Sequence, residues 1–391
     1  MATHQLRRFG NLAFLQSIDK PGVLRKLLEP YRDYIEQNGL ELERLANDDR
    51  CARELLAFFT RTDVQVPEQL LRVTYVLDGL ADEDGHHSIL EEAEALGIGL
   101  GDIPKNSTAG DVAIEVFLKH PELINRCHEK VLSRRVKRYH EYRSRDHRRF
   151  QPAEVEEALS RIKAPLGAWF EQRRRTCACE MFAYCDAAEV HVLVTHGGLF
   201  QADGSITSEL ELTRIGWRPQ KHASLIYDTR SGILKVNARF LSERRLYREK
   251  LGGALTGDPQ YFVESPCYTL EPLRQNGGVL ALADGVLSAR ATELVVGTES
   301  ADCSEIALSG NGLIRCTPGS SPVDIPPGVI VQAVFLIGYA GGGRARRLEV
   351  RLPNIADYDR ARDGPAAEAF LRANHLLLSP EADADGLVDA A

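Results

Sequence analysis

Several features that assign proteins to broad classes are missing from this 391-residue sequence. No run reaches the roughly 18 consecutive apolar residues that a membrane-spanning helix needs. The amino-terminal residues MATHQLRRFGNLAFLQS lack the long apolar stretch and the cleavage site of a secretion signal. The eight cysteines do not form the two CxxC-like pairs of a zinc site. We therefore expect a cytoplasmic protein with reduced cysteines and no membrane partner.

Two short segments nevertheless combine residue types that bind metals. Cys177, Cys179 and Cys185 lie close together, but alternation along a strand would make them small buried side chains. Residues 81–87 hold three acids and two histidines, and acids before a glycine are also typical of a helix start. We favour the structural interpretation of both segments and predict no metal site and no cofactor.

The length and the residue pattern predict two domains, because one hydrophobic core rarely grows beyond about 250–300 residues. Residues 1–150 have the spacing of consecutive helices joined by short Pro-, Gly- or Asp-containing loops, which predicts an irregular helical bundle. Its last helix is expected to run from Pro121 to about Arg149. A connecting basic helix is predicted for residues 151–175.

From Thr176 onward the sequence changes to runs of β-branched and aromatic residues separated by turns. This pattern predicts a β-rich domain with a mixed sheet over residues 176–378, interrupted by helices near 241–251 and 365–374. Val279–Leu282 is one of the expected strands. An acidic tail follows at 379–391. The predicted fold class is α+β.

The stretch from Arg126 to Arg149 concentrates positive charge in an otherwise acidic chain. It carries ten Lys or Arg side chains and three acids, whereas the whole protein has a net charge of −8. A row of cations is what contact with a phosphate backbone requires, and interleaved tyrosines would stack on bases or sugars. A solvated helix face, or a surface for an acidic protein partner, are the other interpretations of such a charge run.

The candidate nucleic-acid-binding residues come from three places: this stretch, the end of the connecting helix, and a glycine-rich loop between two strands. They are Arg134, Arg135, Lys137, Arg138, Tyr139, Tyr142, Arg143, Arg145, Arg148, Arg149, Arg173, Arg174, Arg175, Arg344, Arg346 and Arg347. The loop, Gly341–Gly343, would let a phosphate approach the backbone, but it would also suit a plain hairpin tip.

Residues 222–239 carry the pattern of a β-hairpin that turns at Asp228–Gly232 and is followed by a helix. This order of elements resembles the core of the PD-(D/E)xK nuclease family, which implies a Mg²⁺ site on the hairpin. The positions matching that motif hold Ser224, Asn237 and Arg239, so two carboxylate ligands are missing. The resemblance covers only about 75 residues and implies a nuclease-like platform without catalysis.

A hydrolase is the second enzymatic alternative. His196-Gly197-Gly198 ends a predicted strand in a turn similar to the oxyanion-hole loop of certain esterases, and an acid such as Asp228 would be its partner. A Gly-x-Ser-x-Gly nucleophile motif is absent. We predict no complete catalytic set.

The charge distribution favours a non-catalytic nucleic-acid-binding component, contacting phosphates through a basic helix as part of a larger complex. A divergent or inactivated nuclease, and a structural subunit that docks an acidic protein, stay open as alternatives. Phosphate contacts position a protein without selecting a sequence, so we expect no base specificity from them.

Overall fold

The computed structural model describes residues 7–60, 66–101, 106–146, 148–186, 188–206, 211–275, 279–298, 304–316 and 324–378. The predicted acidic tail, 379–391, lies outside them. The chain forms two compact units, one of Met1–Leu132 with Phe200–Arg218 and one of Ser133–Leu199 with Pro219–Ala391. A helical amino-terminal region precedes a large antiparallel sheet, which confirms the α+β prediction. No described helix is long and apolar enough to cross a membrane.

The first unit is built from short helices around one apolar core. The helices are α1 (Leu12–Ser17), α2 (Arg25–Leu28), α3 (Arg32–Gln37), α4 (Asp49–Phe59), α5 (Glu68–Leu80), α6 (Glu83–Ala95), α7 (Ala109–Lys119) and α8 (Pro121–Arg134), with a π turn at Lys20–Leu24 and 3-10 turns at Glu29–Tyr31 and Leu42–Arg44. Helices α4 and α6 begin with acidic caps: Asp48 accepts a hydrogen bond from the backbone N–H of Cys51, and Asp82 accepts one from that of Gly85, both at 2.7 Å. The helix-start interpretation of residues 81–87 is thus confirmed.

The second unit contains an extended antiparallel sheet. Its strands are β1 (Arg138–Ser144), β2 (Cys179–Asp186), β3 (Glu189–Gly197), β6 (Gln220–Asp228), β7 (Leu234–Asn237), β8 (Phe262–Val263), β9 (Val286–Gly297), β10 (Glu305–Arg315), β11 (Val329–Tyr339), β12 (Arg346–Arg351) and β13 (Ile355–Asp357). They follow the order β10-β9-β11-β12-β13-β1-β7-β6-β3-β2, and β8 pairs with β1. Every pair between these strands is antiparallel, where we expected a mixed sheet.

Four helices and one ribbon complete the described chain. The helices are α9 (Pro152–Glu171), α10 (Leu241–Thr256), α11 (Pro272–Gln275) and α12 (Arg360–Ala373). The ribbon pairs β4 (Gln201–Ile206) with β5 (Leu212–Trp217) and groups with the first unit. Helices α9, α10 and α12 occupy the regions predicted as helical. Val279–Leu282 is not a strand, because only Val279 forms a bridge, to Arg315.

The prediction of one helix from Pro121 to Arg149 is wrong. Helix α8 ends at Arg134, and the next element is β1, a strand of seven residues. Tyr139, Glu141 and Arg143 point to one face of the sheet, and the alternate residues point to the other. Backbone pairing with β13 and β7 overrides the helical pattern, since it places β1 in the middle of the sheet.

The two halves of the sheet are covered on opposite faces. Helices α9 and α10 pack on the β1–β7–β6–β3–β2 half around a core that includes Tyr142. Helix α12 packs on the other half around a core that includes Ala356. Ala356 lies directly opposite Tyr139, and Tyr139 and Tyr142 point to different faces of β1. Strands β9 to β13 thus have one face covered by α12. Their other face is on the same side of the sheet as α9 and α10.

Strand β1 carries a buried charge that ties the two halves together. Glu141 accepts hydrogen bonds from Tyr268 at 2.8 Å and from Arg360 at 3.4 Å. Arg360 lies 4.5 Å from the centre of the Tyr139 ring and donates to the carbonyl of Lys137 at 2.6 Å. Each charge thus has a counterion and hydrogen-bond partners, as burial requires.

We expect Arg360→Ala to lower the free energy of unfolding by about 3 kcal/mol or more, because it leaves Glu141 buried without its cation. Urea unfolding of the purified protein measures the change. Lys163→Ala is the control: it breaks an ion pair with Glu180 in which both side chains are largely exposed, and such pairs contribute about 1 kcal/mol at most. Equal effects of the two substitutions would contradict this role for Arg360.

A second buried network makes a pH-dependent contribution. Burial alone would raise the pKa of Glu189, but the hydrogen bond from His191 and the charge of Lys235 outweigh burial and lower it well below its ordinary value. A lowered folded-state pKa stabilises the fold above the unfolded pKa of about 4.3, and this stabilisation is lost as the pH falls below it.

Glu189→Gln is therefore expected to destabilise the protein at pH 7, by about 1 kcal/mol or more. The difference from the unsubstituted protein should shrink progressively below about pH 4, where protonation removes the same charge. Unfolding curves recorded between pH 3 and pH 7 test this. A difference that is constant across this range would show that the charge of Glu189 is not the cause.

Candidate nucleic-acid interface

The structure distributes the predicted basic residues over several elements. Arg134 ends α8, Arg135 and Lys137 lie in the following turn, and Arg138 begins β1. Arg143 is buried, whereas Arg145, Arg148 and Arg149 are exposed after β1. Tyr139 and Tyr142 are 1% and 2% exposed, so their rings are not presented to a ligand. The cations therefore do not form one helical row.

Several of these cations are held by partners within the second unit. Lys137 pairs with Asp359 at 3.3 Å, Arg145 with Asp258 at 3.3 Å and Arg148 with Glu154 at 3.6 Å.

Two further arginines of the predicted set, Arg143 and Arg346, bind polar groups of the second unit. Arg143 donates to the carbonyl of Leu378 at 2.5 Å, and Arg346 forms an ion pair with Asp363. Asp363 compensates the charge of Arg346, and burial withdraws Arg143 from the surface, so neither cation presents its full charge to a polyanion.

A different arrangement lies on strands β1, β12 and β13. Glu349, which is 5% exposed, contacts three guanidinium groups: Arg347 at 2.8 Å, Arg138 at 3.3 Å and Arg351 at 3.7 Å. Arg138 also pairs with Asp357 at 3.0 Å. We call these five residues the Glu349 cluster. Three cations share two carboxylates, so the cluster keeps a surplus positive charge.

The strand register extends the Glu349 cluster into a polar sheet face. Arg290 and Arg347 flank Leu336 in one row, and Gln332 lies beside Arg351 in another. The side chains of Arg138, Arg347 and Arg351 are about half exposed, at 47%, 57% and 48%. Helix α12 packs on the opposite face of this half of the sheet.

His140 lies next to the Glu349 cluster on the same face of β1. Burial, together with the charges of Arg244 and Arg138, lowers the pKa of His140 to about 4. His140 is thus neutral at physiological pH.

A second group of cations surrounds aromatic rings where α9 ends and α10 begins. The guanidinium of Arg173 lies 3.6 Å from the Trp169 ring centre. Arg239 and Arg175 lie 5.2 Å and 5.8 Å from the ring centre of Phe240. We call these five residues the Phe240 cluster. Distances of this size are typical of cation–π contacts.

The turn after α9 explains how three consecutive arginines separate. Arg175 N–H bonds to the carbonyl of Phe170 and Arg174 N–H to that of Glu171, the pair of bonds that defines a Schellman motif. Arg174 takes the left-handed conformation, with φ of 61°. The motif leaves Arg174 exposed, while Arg175 turns inward to a buried ion pair with Glu243 at 2.6 Å.

The glycine-rich loop has the geometry of a hairpin tip. Gly342 and Gly343 have φ of 77° and 92°, and a side chain at either position would meet nothing within 4 Å. The loop connects β11 and β12 directly. Arg344 is exposed beside it. The glycines are therefore accounted for by the backbone conformation of the turn.

The positions matched to the nuclease motif have structural partners. Ser224 is fully buried and lies 2.9 Å from the hydroxyl of Tyr139. Asn237 donates to the carbonyl of Arg138 at 2.7 Å. Asp228 accepts from the backbone of Arg230 and the hydroxyl of Ser231, which fixes the hairpin turn.

The residues considered for hydrolase or metal chemistry are also placed by the fold. His196 is 4% exposed and stacks on Phe170 at 4.0 Å. Of the three clustered cysteines only Cys179 is buried, while Cys177 and Cys185 are exposed. The described part of the chain contains no group of three or more His, Cys, Asp or Glu side chains arranged to hold a metal.

No protein-family model matches the chain. No curated protein matches it either.

Several residues of the two clusters were absent from the sequence prediction. Arg351 lies on a strand, and the alternation Arg347-x-Glu349-x-Arg351 was a signal that all three side chains share one face. Phe240 and Trp169 are isolated in the sequence, and only the ends of α9 and α10 bring them to their arginines.

The Schellman turn gives a stability prediction. A left-handed non-glycine residue costs about 1 kcal/mol, so we expect Arg174→Gly to raise the free energy of unfolding by up to that amount. His375 has φ of 55° in the same motif at the end of α12, and His375→Gly should give a similar gain. Denaturant unfolding tests both, and a loss of stability in either variant would contradict the strain argument.

Proposed function

We propose that this protein is a non-catalytic nucleic-acid-binding component, and that the Glu349 cluster contacts the phosphate backbone. The supporting observation is that Arg138, Arg347 and Arg351 converge on one nearly buried carboxylate while their side chains stay about half exposed. A carboxylate that anchors several guanidinium groups fixes their orientation, and pre-oriented guanidinium groups are suited to phosphate oxygens.

The location of the cluster supports a polyanion as the ligand. Arg138 lies on β1, Arg347 and Arg351 lie on β12, and β13 lies between these two strands. Neighbouring strands are spaced about 4.8 Å apart, so the charge extends across the sheet face and not along one helix. An extended ligand with repeating negative charge would meet several of these cations at once. Such contacts release counterions and carry no sequence information.

We further propose that the protein acts in the cytoplasm as part of a larger complex. The described cysteines are free thiols, which suits a reducing compartment. An acidic protein partner is the competing ligand for the Glu349 cluster, and the experiment below includes it.

The double variant Arg347→Ala/Arg351→Ala should bind a 20-nucleotide oligomer more weakly and with a smaller salt dependence. The slope of log K against log salt concentration should fall by roughly 1 for each lost phosphate contact. Fluorescence anisotropy across a salt series measures both. Arg362→Ala/Arg372→Ala, which removes two exposed arginines of α12 on the opposite face of the sheet, should leave the slope unchanged.

Urea unfolding confirms that both double variants are folded. An unchanged salt slope in Arg347→Ala/Arg351→Ala would remove the Glu349 cluster from the interface. Equally tight binding of polyglutamate would point to an acidic protein partner in place of nucleic acid.

A further inference from the structure

We infer that the ligand of this surface is a single-stranded nucleic acid whose unpaired bases stack on the Phe240 cluster. This inference rests on the proposed function and adds the substrate class. It is carried by the exposure of the Phe240 ring and by the arginines that surround it, which together provide a flat apolar surface and positive charge at one place.

Phe240 is an unusual residue to find exposed at a helix start. Its side chain is 47% exposed, although it is the N-cap residue of α10. The guanidinium groups of Arg239 and Arg175 lie 5.2 Å and 5.8 Å from the centre of the ring. An aromatic ring held in place and open to solvent offers a π surface to any base, whatever its sequence.

Within the Phe240 cluster, contacts through Phe170 link the Phe240 ring to a second aromatic ring, Trp169. Arg175 lies 5.3 Å from the Phe170 ring centre, and Phe170 lies 5.4 Å from Trp169. Trp169 in turn carries the Arg173 guanidinium at 3.6 Å. Guanidinium planes also stack on bases, so the cluster presents stacking groups at both of its ends.

The charges of the Phe240 cluster favour an anionic ligand. Arg175 is compensated by Glu243. Within the described residues, neither Arg173 nor Arg239 forms an ion pair. Both residues are exposed and carry their guanidinium groups over the aromatic rings, where these groups would contact the phosphates next to a stacked base.

The Phe240 cluster is connected to the Glu349 cluster, so one nucleic-acid strand could contact both. Asn237, which ends β7 and precedes Ala238, donates to the carbonyl of Arg138 at 2.7 Å. Arg244 is one turn into α10 from Phe240, and it donates to the carbonyl of Ala238 at 3.1 Å. Phosphate contacts on the sheet face and base contacts at the helix ends thus lie on the same side of the sheet.

The position of these arginines on strands of a sheet favours a single strand over a duplex. Duplex bases are read when a helix or a two-stranded ribbon enters a groove, and here the arginines lie on a broad sheet. Bases in a duplex have both faces covered by their neighbours, whereas unpaired bases are free to stack on protein rings.

The test compares three ligands at one salt concentration: oligo-dT of 20 nucleotides, an abasic oligomer of equal length and charge, and a 20-base-pair duplex. The full-length protein should prefer oligo-dT over both others. Phe240→Ala should weaken oligo-dT binding roughly tenfold, the value of about one stacked base. It should leave the abasic affinity and the salt slope unchanged.

Leu241→Ala is the matched control, because Leu241 is the next residue and is also 47% exposed; it should bind like the unsubstituted protein. A second readout uses Trp217→Phe, which leaves Trp169 as the only tryptophan. Oligo-dT should then quench the fluorescence of Trp169, and the abasic oligomer should not.

The outcomes separate this inference from the proposed function. Equal binding of oligo-dT and abasic oligomer, or tighter binding of duplex, overturns the single-strand inference but leaves phosphate binding intact. A Phe240→Ala effect that is equal for oligo-dT and abasic oligomer also overturns it. If none of the three ligands binds, the proposed function itself fails. Replacing oligo-dT by oligo-U distinguishes DNA from RNA as the source of the strand.

Discussion

The burial of strand β1 is the constraint on which the architecture of the second unit depends. A strand rich in charged residues occupies the centre of the sheet because Glu141 finds Arg360 and Tyr268 on one face. The other face of β1 contributes Arg138 and His140 to the polar surface. One strand therefore joins the two halves of the sheet and supplies part of the candidate interface.

The sequence was sufficient for the fold class and for most element positions, because caps, turns and apolar spacing are local signals. It was insufficient around residues 135–149. Arg138-Tyr139-His140-Glu141-Tyr142 lacks the apolar alternation of a strand, since its two tyrosines are three residues apart, and its charges made a solvated helix the simpler interpretation. These side chains are stable in a buried strand only because β1 pairs with β13 and β7, which are far away in the sequence.

In the candidate site, too, the sequence predicted residues that have local signals and missed residues that only the fold brings together. Local charge density identified Arg138, Arg173, Arg175 and Arg347, four of the six arginines of the two clusters. It did not identify the buried Glu349 that orients the guanidinium groups, nor the aromatic rings at the ends of α9 and α10. Charge counts also could not separate arginines with a private counterion, such as Arg346 with Asp363, from arginines that share one.

The position of β13 has a consequence for biosynthesis. Arg138 on β1 and its β13 partner Asp357 are 219 residues apart. When β1 leaves the ribosome its neighbours on both sides are still untranslated, so its polar side chains and open edges have no native contacts. Such long-range pairing is slow, and chains released before β13 would expose two unsatisfied strand edges. This topology makes the unit dependent on complete translation and on protection of the nascent chain.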